Sequence, residues 1–147
     1  MLIKPFALAC LMWSTTAAAS SAVAPSGGDG LVVVVSTQAA ITQLDRYQLI
    51  NIFMGRYRRL PDGGEAIPLD IGKQSEQKAL FYKQLVGKPL ADINAYWARL
   101  IFSGKTRPPQ QVDSTEQALQ QVADNPTMIA YVQRSQVDAR FRIVYEF

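Results

Sequence analysis

Ser75 stands at the head of a helical pattern with Gly72, Lys73 and Lys78 close by in sequence. A hydroxyl, free N–H groups at a helix start and two ammonium groups are the parts from which an oxyanion site can be built. The plain alternative, an ordinary N-cap beside solvated lysines, is favoured over it, because caps are far commoner than anion sites. Ser36 and Thr37 form a second candidate, because they follow a β-branched run and so fall at the carboxyl edge of a sheet, where open α/β sheets collect ligands. Their plain alternative is a polar turn whose hydroxyls satisfy its own backbone.

Other chemistries are excluded by composition. The 147 residues include no histidine and a single cysteine, Cys10. Ser-His and Cys-His catalytic pairings cannot be assembled, nor can a thiolate or imidazole metal site. The aspartates Asp45, Asp62, Asp70, Asp92, Asp113, Asp124 and Asp138 are scattered among caps and turns, and their spacing singles out no general acid and base. No enzyme activity and no cofactor is expected.

Two basic clusters remain, Arg56, Arg58 and Arg59 around Tyr57, and Lys105 with Arg107 near Pro108-Pro109. Positive charge just after a helix is favourable in any protein. An exposed, proline-stiffened loop is also a natural contact surface. Tyr96, Trp97 and Phe102 read as core aromatics, since Trp97 falls on an apolar helical face.

The N-terminus has the form of an export signal. Lys4 supplies the positive start, Phe6 to Trp13 an apolar run, and Ala17 to Ala24 small-residue cleavage options, with cleavage after Ala22 preferred. Cys10 lies inside the apolar run rather than after it, which reads as an unmodified signal-peptide cysteine. Residues 1–22 are thus assigned to the signal, 23–30 to a Gly-rich spacer and 31–147 to one α/β domain. Without Lys4, 14 basic and 12 acidic side chains leave a charge of +2, too small an excess to point to nucleic acid. A periplasmic location is expected.

The elements that must position these residues are announced by local signals. Leu31 to Val35 is a continuous β-branched run suited to a buried strand. Thr42 with Asp45 three residues on predicts the start of a helix ending at Gly55, with Tyr47, Ile50 and Met54 on the inward face beside Leu49 and Phe53. Asp62-Gly63-Gly64 turns the chain into a strand over 65–71. Ser75 caps a helix to Val86, inward at Phe81, Tyr82, Leu85 and Val86, and Gly87 ends it. Pro89 opens a third helix, with Leu90, Ile93, Trp97, Leu100 and Ile101 at helical spacing. Residues 105–111 are expected as a loop, and Ser114 with Gln117 as the cap of a helix to Asp124, inward at Leu119 and Val122. Strands follow at Met128 to Val132 and at the C-terminus, where Phe141, Ile143, Tyr145 and Phe147 alternate with other residues as one buried face. Alternation of strands and helices predicts a three-layer α/β domain.

Several motifs in order carry a resemblance: the Val-rich opening strand, Ile52-Phe53-Met54-Gly55, Asp62-Gly63 followed by Ile67-Pro68, Phe81, Tyr96-Trp97 with Phe102-Ser103-Gly104-Lys105, Pro108-Pro109, and Ile129-Ala130-Tyr131-Val132. From Leu31 to about Val144 the chain resembles the short exported proteins related to phosphate ABC transporter substrate-binding proteins, known as PBP-like. The resemblance implies a single lobe of the type II periplasmic binding-protein fold, with a mixed central sheet flanked by helices. It implies phosphate or another small oxyanion as ligand, with Ser36, Thr37, Ser75 and Lys78 converging on it, and a membrane transporter or sensor as partner. The alternative is an interaction or sensory module that keeps the lobe without the ligand. Those receptors place an Arg and a Ser-Gly-Thr at the helix start that grips phosphate. Here the stretch is Asp70-Ile71-Gly72-Lys73-Gln74-Ser75-Glu76-Gln77-Lys78, which keeps only the Ser. One lobe leaves half of a two-walled cleft, so covering of that face in a homodimer or by a partner is also expected.

Overall fold

A computed structural model describes residues 29–147; the expected signal at 1–22 and all but the end of the spacer lie outside the described residues. In chain order the elements are β1 (Leu31–Ser36), α1 (Arg46–Phe53), β2 (Ile67–Ile71), α2 (Glu76–Val86), α3 (Leu90–Phe102), β3 (Gln110–Val112), α4 (Thr115–Asp124), β4 (Met128–Gln133) and β5 (Phe141–Glu146), with a 3-10 turn at Arg134–Gln136.

All six residues of β1 are buried, as its unbroken apolar sequence requires of a strand with neighbours on both sides. The sheet order is β3-β2-β4-β1-β5. β2 runs parallel to both β3 and β4, whereas β1 runs antiparallel to both β4 and β5. The sheet is therefore mixed, and β1 and β2 point in opposite directions. On one side α4 packs over β1 and β4 through Ala118 and Val122. On the other, Phe53 of α1 and Phe81 of α2 meet Tyr131 of β4, with Phe81 stacked on Tyr131 at a centroid distance of 3.9 Å. The expected three-layer α/β domain with a mixed sheet is present.

Local signals placed most elements, and several expectations need correction. The cap of α1 is Asp45, not Thr42: the Asp45 carboxylate accepts from the Gln48 N–H at 2.7 Å, and Gln48 Oε1 accepts from the Asp45 N–H at 2.8 Å. Both orphan N–H groups are thereby satisfied one turn later than expected. The face of α1 turned to the core is Leu49, Ile52 and Phe53, while Tyr47 is 66% exposed. In α3 only Ile93 and Trp97 are buried, and Ile101 and Phe102 are exposed, because this helix lies on α2 instead of on the sheet and so needs a narrower apolar stripe. In β5 the register slips between Val33 and Val34, which pair with Tyr145 and Ile143. This leaves Val144 as an extra residue, and its carbonyl accepts from the Leu44 N–H at 2.9 Å. A bulge of this kind shifts the alternation. Phe141 and Val144 are buried rather than the whole set Phe141, Ile143, Tyr145 and Phe147.

Gly55 is required where α1 stops. Its φ of +71° is left-handed, and a Cβ there would lie 2.7 Å from Cη2 of Trp97. The end of the loop expected at 105–111 instead opens β3 (Gln110–Val112) at the sheet edge, with Gln111 opposite Asp70. A polar Gln-Gln pair after two prolines carries no strand signal of its own.

Candidate functional site

Strand geometry sends alternate side chains of β2 to opposite faces, so Leu69 and Ile71 share one face and Asp70 takes the other. Asp70 is 1% exposed and faces α2. A carboxylate there survives only if it is paired. Lys78 Nζ lies 3.0 Å from its Oδ2. The Tyr82 hydroxyl is within 3.0 and 3.2 Å of the two oxygens, the Tyr131 hydroxyl donates to Oδ1 at 3.3 Å, and Gln111 Nε2 donates to Oδ2 at 3.2 Å. Tyr131 in turn accepts from the Ile71 N–H at 3.1 Å. Lys78 and Tyr82 reach one carboxylate because residues four apart on a helix share a face.

Burial is the main reason that the Tyr82 phenol is held well above its ordinary pKa, and the charges of Asp70 and then of Tyr131 add to the rise. Tyr131 is raised for the same first two causes, burial and Asp70. Both phenols therefore act as neutral donors to a buried anion. The Trp97 indole N–H lies beside Tyr82 and weakly opposes that rise, yet it makes no hydrogen bond of normal geometry.

Ser75 adjoins this cluster, and its hydroxyl already has two partners. It donates to the Ile71 carbonyl and accepts from the Lys78 N–H at 3.1 Å, which makes it the N-cap of α2. Gly72, at φ +67°, folds the chain so tightly that a Cβ would stand 3.0 Å from the Ser75 Cβ. Over the cluster opens a cleft of about 350 Å³, walled by Lys73, Trp97, Ile101, Pro108 and Gln111.

Ser36 and Thr37 are elsewhere. Because β1 is antiparallel to β4 and β4 parallel to β2, the end of β1 lies level with the start of β2. From Ser36 to Ile71 is four residues along a strand and two strands across, roughly 16 Å at ordinary strand spacings. Ser36 is buried and accepts from the Gln38 N–H at 3.2 Å; Thr37 is exposed, its N–H donating to the Arg140 carbonyl at 3.0 Å. The structure brings Ser75 and Lys78 together and leaves Ser36 and Thr37 at the opposite edge. The convergence of all four that the resemblance implied is not found, because β1 runs opposite to β2 and its carboxyl end lies level with the start of β2.

Sequence reasoning missed Asp70, Tyr82, Gln111 and Tyr131 as a unit. The available signal was a lysine on the inward stripe of α2, Lys78-Phe81-Tyr82-Leu85, beside an aspartate between Leu69 and Ile71 in a strand. Among the basic residues, Arg58 donates to the carbonyls of Arg107 and Pro108 and so ties the turn after α1 to the proline loop, while Arg56 and Arg59 are exposed. Among the described residues no group of three His, Cys, Asp or Glu side chains could hold a metal, and no helix is long and apolar enough to cross a membrane.

No protein-family model matches the chain, and no curated protein matches it. Solved structures do. A phosphate ABC transporter substrate-binding protein from Clostridium perfringens, so assigned and crystallised with bound phosphate, superposes with a TM-score of 0.62 at 16% identity, over 79% of this chain and 44% of its own. An ABC-type phosphate transport receptor from Vibrio cholerae gives 0.62 at 17% identity, over 79% and 45%. PstS from Borrelia burgdorferi gives 0.59 at 14%, over 79% and 46%. The chain thus spans less than half the length of the structures it matches, and at this identity the likeness is one of fold. The fold of residues 29–147 is that of a single lobe of the phosphate-type periplasmic binding proteins.

Proposed function

We propose that this chain is an exported, non-catalytic module of the periplasm that uses a PBP-like lobe for protein interaction rather than for trapping a free oxyanion. The observation that carries the reading is the buried Asp70–Lys78 pair. The cation at the head of α2 is neutralised by the protein's own carboxylate, and that carboxylate would repel an incoming phosphate. The Ser75 hydroxyl is committed to the Ile71 carbonyl as well. Partners of this reading are a membrane transporter, a sensor or a second copy of the chain.

A second reading, recognition of phosphate or another small oxyanion at Ser75 and Lys78, is favoured by the fold likeness to a phosphate-bound protein and by the exposed Lys73 at the mouth of the cleft. Three contacts of this kind would give affinity on the order of micromolar to millimolar.

Calorimetry with phosphate and sulfate on the wild type and on Ser75→Ala separates the two. The interaction reading expects no saturable heat at millimolar concentration. Saturable heat that disappears in Ser75→Ala would establish the oxyanion reading.

A further inference from the structure

Beside the core-facing side of α1, Tyr47 is exposed and Ile50 only partly buried, and Met54, just past the helix, is buried at 8% exposure. Ile50 and Met54, with Val86 at the end of α2 and Ile93 and Tyr96 of α3, line an open groove of about 740 Å³. The exposed Ala95 and Ala98 keep its α3 side low. Phe102, one heptad after Ala95 and so on the same side of α3, is 97% exposed and extends the apolar surface. The geometry is fixed by a hydrogen bond across the groove, from the Tyr96 hydroxyl to the Met54 carbonyl at 2.7 Å.

The rim is basic. Arg56, Lys88 and Arg99 surround the groove against a single carboxylate, Asp92, and none of the three cations makes an ion pair among the described residues. Arg46 and Arg58, by contrast, are anchored on backbone carbonyls. An apolar helix groove with free cations at its edge matches an amphipathic segment that lays its apolar face inward and its carboxylates on the rim. A neutral or basic segment would bury the three cations beside nothing that compensates them, which disfavours it.

We propose that this groove between α1 and α3 docks a short acidic amphipathic segment of a partner protein. The inference rests on the interaction reading and gives it a surface and a partner chemistry. It is separate from the Asp70 cluster.

The test is site-specific photo-crosslinking in cells producing the full chain, with p-benzoylphenylalanine at Ala95 or Ala98, and at Gln120 of α4 as the remote control. The expected product from α3 is a segment of another protein with apolar residues at helical spacing and an excess of Asp and Glu. Its yield should fall at least tenfold in the Arg56→Glu/Arg99→Glu variant and in Lys88→Glu, each first shown by circular dichroism to be folded. A synthetic peptide of that segment should bind the purified chain at least tenfold more weakly in the same variants. Crosslinks to lipid, to a second copy or to this chain's own N-terminal residues overturn the proposal, as does a yield indifferent to charge reversal. Crosslinks from Gln120 alone reject the groove and leave the interaction reading standing; crosslinks from neither position reject both.

Discussion

At the scale of single residues the Asp70–Lys78 pair dominates. Two charges almost wholly removed from water are tolerable only together, and loss of either leaves the other uncompensated, a change that costs about 3–5 kcal/mol in buried pairs. Asp70→Asn and Lys78→Met should each lower the unfolding free energy measured by urea titration by that amount, and the double variant should lose clearly less than their sum. Additive losses would show that the two side chains do not act as a unit. The phenols that cap the carboxylate make a second, independent expectation. Tyr82 and Tyr131 are raised above the ordinary phenol pKa of about 10, so the unfolded chain gives up these protons first as the pH climbs. Their contribution is fully present below pH 10 and is lost above it, by about 1.4 kcal/mol per phenol for each pH unit. Urea unfolding between pH 9 and 11 should therefore show a steep fall in the wild type that becomes shallower in Tyr82→Phe and in Tyr131→Phe.

Elements are set by chemistry within a few residues, which makes their boundaries testable by small changes. The reciprocal Asp45–Gln48 box starts α1, so Asp45→Ala should cost about 1 kcal/mol, the usual value for a lost cap. Thr42→Ala removes an exposed side chain three residues ahead of that cap and should stay within about 0.5 kcal/mol of wild type. Thermal unfolding of the pair decides between the two starts. The same helix shows how one element serves two neighbours. Leu49, Ile52 and Phe53 go to the core, and Ile50, with Met54 just past the helix, lines the groove beside α3.

For the molecule as a whole, one sheet with helices on both sides presents two separate surfaces. The cleft above Asp70 lies at the end of β2, and the basic-rimmed groove lies between α1 and α3. Export is the cellular condition of the interaction reading. Intact mass of the protein recovered from the periplasm should correspond to an N-terminus near Ser20 or Val23 without lipid; a diacylated Cys10 as the first residue would reject that processing.

Sequence alone determined the pieces whose causes are local. The buried strand from Leu31, the Ser75 and Ser114 caps, the stops at Gly55 and Gly87, and the α/β class all follow from propensity, capping and periodicity over a turn or two. Tertiary structure decided everything that depends on which strands lie side by side and in which direction. The antiparallel course of β1 puts Ser36 and Thr37 at the far edge from Ser75. The pairing of β3 with β2 brings Gln111 to Asp70, and β4 brings Tyr131 to it across 61 residues of sequence. The bulge at Val144 turns half of an alternating strand around. Hydrophobic period marks a face as buried and says nothing of what it is buried against. Strand order and direction are fixed by the packing of the complete sheet, so a polar cluster assembled across three strands and a helix has no local signature to read.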